Sequence, residues 1–157
     1  MNFIEETLMS YTENHTKGES VLLSEINRDT HALVLNPRML SGHLQGRILS
    51  MLSNMIKPQF ILEIGTYTGY SAICLSEGLQ QHGQLITIDV NEELEELIQS
   101  YIEKAGLTNR VKHITGDAIK ILPALEMNFD LVFIDADKLN YSNYYDLIFP
   151  KVNKGVP

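Results

Sequence analysis

The segment Asp135-Ala136-Asp137-Lys138 sets two carboxylates and an ammonium side by side, directly after the apolar run Leu131-Val132-Phe133-Ile134. Carboxylate oxygens suit a hard cation such as Mg2+, which takes one or two protein carboxylates and keeps several waters. Lys138 serves as a base where burial or a nearby cation lowers its pKa. A surface acid–base cluster capping the next helix has the same composition, and spacing alone leaves both readings open. A second group of residues lies upstream, in Phe60-Ile61-Leu62-Glu63-Ile64-Gly65-Thr66-Tyr67-Thr68-Gly69-Tyr70-Ser71. Here an apolar run ends in a carboxylate, Glu63, and then in a glycine turn. Glycine lets the backbone turn sharply and lets a ligand come close. Gly65 and Gly69 do not form the G-x-G-x-x-G dinucleotide fingerprint, and a lone G-x-x-x-G is weak. Asp89 strengthens it. It lies 24 residues beyond Gly65, at the end of Leu85-Ile86-Thr87-Ile88, where an acid is placed to hold ribose hydroxyls.

These residues must be positioned by alternating strands and helices. Apolar runs predict strands at 60–64, 85–89, 111–115 and 130–135. Between them lie predicted helices at about 69–82, from a cap at Asn91 to a C′ glycine at Gly106, at about 118–125, and at about 141–149. Repeated β-α-β means parallel strands with right-handed crossovers. The carboxyl ends of such strands are where ligands bind. They carry Glu63 with Gly65, then Asp89, then Gly116-Asp117, then Asp135 with Asp137. Before this unit, residues 2–57 read as three helices. Their stripes are Ile4, Leu8 and Tyr11; Leu22, Leu23 and Ile26; and Leu44, Ile48, Leu49, Leu52 and Ile56. The fold class is α/β, with a Rossmann-like doubly wound parallel sheet behind N-terminal helices.

The whole chain limits the function classes. Its 157 residues predict one domain, 1–157, with helices over 1–57 and the sheet unit over 58–157. A net charge of −8 and a pI near 5.0 count against nucleic-acid binding, which needs a basic face. The single cysteine, Cys74, allows no intramolecular disulfide and fits a reducing, cytoplasmic setting. No basic region followed by an apolar run marks a signal peptide at the N-terminus, and no stretch approaches a membrane span.

On these motifs the chain resembles the class I S-adenosylmethionine-dependent O-methyltransferases. More narrowly, it resembles the divalent-metal-dependent group of caffeoyl-CoA and catechol O-methyltransferases. The residues carrying the resemblance are Leu62 to Ser71, Ile86 to Asp89, Ala105-Gly106-Leu107, Gly116-Asp117-Ala118, and above all Phe133 to Lys138 with Asn140-Tyr141. The resemblance implies the family strand order 3-2-1-4-5-7-6, of which this chain supplies 3-2-1-4. It implies that Glu63, Gly65, Tyr67 and Ser71 surround the methionine part of the cofactor. Asp89 would bind the ribose, and Asp117 and Ala118 would border the adenine. Met39 and Ser41 match a loop lying over the cofactor. Asp135 matches a ligand of Mg2+ or a similar metal, Asp137 a residue near the cofactor's amino group, and Lys138 the general base. The implied substrate is a small hydroxyl acceptor.

The family pattern continues past the equivalent of Lys154-Gly155 with a fifth strand, an Asp-Asn pair that completes the metal site, and two further strands. The reading therefore expects a truncated, cleaved or split form that keeps the cofactor contacts, has an incomplete metal site and catalyses poorly. It also expects the fourth strand's open edge to be covered by a partner chain, as in a homodimer. An NAD-type oxidoreductase and a non-catalytic cofactor-binding module are the competing readings. His15, His31, His43, His82 and His113 share no metal-binding spacing, and only His43 lies near the cofactor loop. Cys74 is expected to be a small buried hydrophobe, and Glu92, Glu93, Glu95 and Glu96 a solvated face. Tyr141, Tyr144 and Tyr145 are expected to pack against the last helix rather than line an acceptor site.

Overall fold

A computed structural model describes residues 5–154. Ile4 and the closing Gly155-Val156-Pro157 lie outside the described residues. Four parallel strands form one sheet: β1 (Phe60–Ile64), β2 (Gln84–Asp89), β3 (Val111–Thr115) and β4 (Leu131–Ile134). Their order is β3-β2-β1-β4, as the resemblance implied. Helices α1 (Glu6–Asn14), α2 (Val21–Leu33) and α3 (Gly42–Ile56) precede the sheet. Helices α4 (Tyr70–Ser76), α5 (Glu95–Lys104), α6 (Ala118–Ile121) and α7 (Tyr141–Ile148) follow the successive strands.

The strands alternate between two cores. Ile61, Leu85 and Val111 pack with Leu23, Ile26, Leu49, Ile73 and Ile98 of α2 to α5. Leu62, Ile64, Ile86 and Ile88 pack on the other face with Ala118, Leu122, Tyr144 and Ile148. A sheet covered on both faces needs strands apolar at nearly every position, which is why these runs were readable. Ser20 caps α2 by accepting from Leu23 N–H, Asn91 accepts from Glu93 N–H at the 3-10 turn leading into α5, and Gly106 follows α5 with φ +69°.

Four expectations differ. The helix expected over about 69–82 stops at Ser76, and the next three amides make i−3 bonds instead. The cause is the close approach of Gly78 to α3: a Cβ there would lie 2.2 Å from the Ser53 carbonyl carbon. The helix expected over 118–125 becomes 3-10 after Ile121, where Pro123 lacks an N–H for an α-helical bond. β4 is shorter than 130–135, because the Asp130 carboxylate accepts from the N–H groups of Gln59 and Phe60 at 2.7 and 2.9 Å.

The largest difference concerns the N-terminal stripes. α3 buries Gly46, Leu49, Ser50 and Ser53, whereas Ile48 and Leu52 of the expected stripe are 54% and 41% exposed. Small residues win the inner face because α3 and α4 lie so close; a Cβ on Gly46 would stand 2.6 Å from the Tyr70 ring. Likewise Leu8 and Tyr11 of α1 are exposed, and α1 buries no residue. At the other edge, Phe129 pairs in parallel with Val152, so the chain itself occupies the start of β4's outer edge. No helix among the described residues is long and apolar enough to cross a membrane.

Candidate functional site

The carboxyl ends of β1, β2, β3 and β4 open into one cleft of about 950 Å3. Its walls include Met39, Ser41, Gly65, Tyr67, Ser71, Asp89, Ala118, Asp135, Asp137 and Lys138, ten of the residues singled out from the sequence. Two others stand back from it. Glu63 is fully buried beneath the cleft. Asp117 turns its carboxylate to cap α6, accepting from Ile119 N–H at 3.0 Å, while its neighbours Gly116 and Ala118 reach the cleft.

The turn after β1 is built by close approach. Gly65 has φ +103°, and a Cβ there would lie 2.2 Å from the Asp135 carbonyl oxygen. This contact brings the ends of β1 and β4 together. Tyr67 follows in the left-handed region at φ +50°, a conformation that costs a non-glycine residue about 1 kcal/mol or more. Two bonds hold it there. Its N–H donates to Asp89 Oδ2 at 2.7 Å, and its hydroxyl lies 3.1 Å from the carbonyls of Leu35 and Asn36. That hydroxyl fixes the loop carrying Met39 and Ser41 over the cleft. Asp89 Oδ1 also accepts from Asn91 N–H at 3.0 Å. A carboxylate offers about four acceptor directions, so two remain for ligand hydroxyls.

Beneath the cleft, Glu63 is a buried carboxyl on a hydroxyl chain. Thr87 Oγ1 donates to its Oε2 at 2.6 Å, and the hydroxyls of Thr66 and Thr87 lie 2.5 Å apart. Its Oε1 has no hydrogen-bond partner. Burial pushes this carboxyl up to about 7. The hydroxyls of Ser71 and Thr87 oppose that shift, and the charges of Asp135 and Asp89 add to it. Beyond β4, Asp137 receives the Tyr144 hydroxyl at 2.8 Å and the Asn140 N–H at 3.1 Å. These donors, Tyr144 first, hold its carboxyl below the usual carboxylate range.

Asp135 lies exposed at the cleft, with Gln45 Nε2 3.5 Å from its Oδ2. Among the described residues no three His, Cys, Asp or Glu side chains converge on one point. The divalent metal implied by the resemblance would find the Asp135 carboxylate here without two further such side chains beside it. His43 bonds the Lys17 carbonyl and does not line the cleft. Cys74 is fully buried, as expected, and burial pushes its thiol up to about 12. The four glutamates around the start of α5 are exposed, as expected. Tyr144 departs from expectation in part: its ring packs in the core, yet it also lines the cleft. Its position three residues after Tyr141 carries no mark separating it from a packing tyrosine. Thr66 and Thr87 carry no mark in the sequence, because threonine is ordinary in and beside strands.

Comparison with known proteins decides the family. Residues 12–156 match the family described as O-methyltransferase. The chain belongs to that family. Over 105 residues it is 41% identical to a catechol O-methyltransferase of Niastella koreensis, covering 64% of this chain and 48% of that protein. Over 117 residues it is 38% identical to caffeoyl-CoA O-methyltransferase 1 of Zea mays, covering 71% of this chain and 45% of that one. The chain thus spans about half the length of these curated relatives. Among solved structures, an O-methyltransferase from Bacillus cereus in complex with S-adenosylhomocysteine superposes with a TM-score of 0.88 at 31% identity. That match covers 96% of this chain and 70% of the other.

Proposed function

We propose that this chain binds S-adenosylmethionine in the cleft and forms the cofactor-holding part of an O-methyltransferase acting on a small catechol- or caffeoyl-type hydroxyl. The observation that carries this reading is the pairing of the Gly65–Tyr67 turn with Asp89, which leaves two carboxylate directions free on a cleft large enough for a nucleoside ligand. The fit rests on this chain's own donor set. Asp89 takes the ribose hydroxyls. Gly65, Ser71 and Asp137 face the amino-acid end, and Gly116 and Ala118 border the base. The cofactor, when bound, supplies an electrophilic methyl group on a sulfonium sulfur.

What the protein adds is alignment and exclusion of water. Holding acceptor oxygen, methyl and sulfur in line removes much of the entropic barrier. Lys138 stands at the mouth of the same cleft and takes the acceptor's proton or offsets its charge. Titration calorimetry with S-adenosylmethionine, S-adenosylhomocysteine and NAD tests the reading. Binding of the two sulfur ligands without NAD is the expected result. Binding of NAD alone, or of none, overturns it.

Homodimerisation is also part of this proposal. Its support is the outward stripe Ile48, Met51, Leu52 and Met55 of α3, all at least 41% exposed and at helical spacing. Sedimentation of an Ile48→Glu/Met55→Glu variant as a monomer, against a wild-type dimer, is the expected outcome. A cytoplasmic setting stays an expectation, supported by the unpaired, buried Cys74.

A further inference from the structure

A second cavity, of about 540 Å3, lies between α1 and α3 and shares no lining residue with the cleft at the strand ends. Leu44, Ile48 and Met51 of α3 form its apolar wall. Thr12 of α1, and His15, Thr16 and Lys17 just after it, form the opposite rim. α1 stands over this space and buries none of its own residues. A concave space of this size, apolar on one side with a few polar groups, is the usual make-up of a small-molecule site.

The charges decide what chemistry the cavity would take. At its floor, Arg47 and Glu77 are already matched. Nη2 and Nη1 of Arg47 donate to the two carboxylate oxygens at 2.8 and 3.1 Å, and Ser50 Oγ donates to Glu77 Oε2 at 2.5 Å. A carboxylate so occupied has little left for a cationic ligand. The hydroxyls of Thr12 and Thr16 donate to the carbonyls of Met9 and Thr12 at 2.8 and 2.6 Å. His15 stacks on Tyr11, with its Nδ1 2.7 Å from the Tyr11 carbonyl. Lys17 is the cation left over. Its carbonyl accepts from His43 Nε2 at 2.7 Å, which ties this stretch to α3. Its Nζ has no hydrogen-bond or ion-pair partner among the described residues, and its charge is felt at Glu77 on the cavity floor. Two cations, Arg47 and Lys17, thus face one acid, Glu77.

We propose that the space between α1 and α3 is a second binding site, for an amphipathic monoanion of the medium-chain carboxylate class. The apolar body lies along Leu44, Ile48 and Met51, and the anionic head meets Lys17 at the rim. Met51 adapts to the shape of that body. The occupant also gives α1 the buried face it lacks, since a helix of 9 residues is marginal without packing. The site meets the outward stripe of α3 only at Ile48 and Met51. It depends on neither the cofactor reading nor dimerisation.

The test is titration calorimetry of the full chain with octanoate, octanol and octylammonium, which share the apolar body and differ in the head. Octanoate should bind saturably, octanol about fivefold more weakly, and octylammonium more weakly still. Lys17→Gln should weaken octanoate about fivefold and leave octanol within about twofold. Thr12→Trp fills the space from the α1 side and should abolish octanoate binding. In the wild type, octanoate should also slow amide exchange over residues 6–14. No binding of octanoate, equal affinities for the three ligands, binding untouched by both variants, or unchanged exchange in α1 overturns the proposal. Should Thr12→Trp fail to fold, Lys17→Gln and the wild-type exchange decide by themselves.

Discussion

The backbone N–H of Tyr67 donates to Asp89 Oδ2 across 2.7 Å, tying the turn after β1 to the end of β2. Asp89 therefore has two positions to serve, holding a left-handed turn and lining the cleft proposed for the cofactor. Removing it should harm binding far more than folding. We expect Asp89→Ala to weaken S-adenosylhomocysteine by roughly 10- to 100-fold, since hydrogen bonds to charged groups contribute about 1.5–3 kcal/mol. Stability should fall by about 1–2 kcal/mol. Asp89→Asn keeps an acceptor for Tyr67 N–H, so its stability should stay closer to wild type. Calorimetry and urea unfolding separate the two effects.

Tyr67 also reaches away from the strand ends. Its hydroxyl bonds the carbonyls of Leu35 and Asn36, so one side chain fixes the loop that bears Met39 and Ser41. Tyr67→Phe should release that loop while keeping the ring. Amide exchange over residues 35–41 should quicken, with a stability loss of about 1 kcal/mol. Unchanged exchange there would show that packing, not the hydroxyl, holds the loop.

The sheet and most of the cleft were legible because both follow from local pattern. Apolar runs of four to six residues gave β1 to β4 within one or two residues, and polar residues directly after them fell on one edge. Glu63 shows where that reasoning ends. A strand-end acid reads as a ligand-facing group, yet the strand's alternation turns Glu63 inward with Thr87, under α4. The α3 stripe fails for another reason. Helical periodicity finds an apolar face, but not whether that face meets the core. Here the distance between α3 and α4 admits only Gly46, Ser50 and Ser53, together with Leu49, and the larger residues face outward. Tyr144 was out of reach because its role depends on a partner seven residues away across a 3-10 turn.

That close helix contact makes a contrast between two glycines. A Cβ at Gly78 would meet Ser53 backbone at 2.2 Å, whereas a Cβ at Gly18 meets nothing within 4 Å. Gly78→Ala should lower stability by about 2–3 kcal/mol, the range of an overpacked core, because backbone rather than a flexible side chain must move. Gly18→Ala should be neutral. Urea midpoints with unchanged slopes would establish both. Equal midpoints for the two variants would refute the tight contact between α3 and the turn after α4.

Glu63 gives stability a pH dependence of unusual sign for a carboxyl. Burial raises its pKa from 4.5 unfolded to about 7 folded. The folded chain therefore binds this proton more tightly than the unfolded chain does. Its contribution is fully present below about 4.5 and is lost as pH rises through about 7. The full span is on the order of 3 kcal/mol. Glu63→Gln keeps the shape and removes the titration, so it should flatten this part of the profile. The variant should gain on the wild type between pH 5 and pH 8 when both are unfolded by urea. A wild-type stability that rises over that interval, with no change in slope in Glu63→Gln, would mean that Glu63 is ionised in the folded chain.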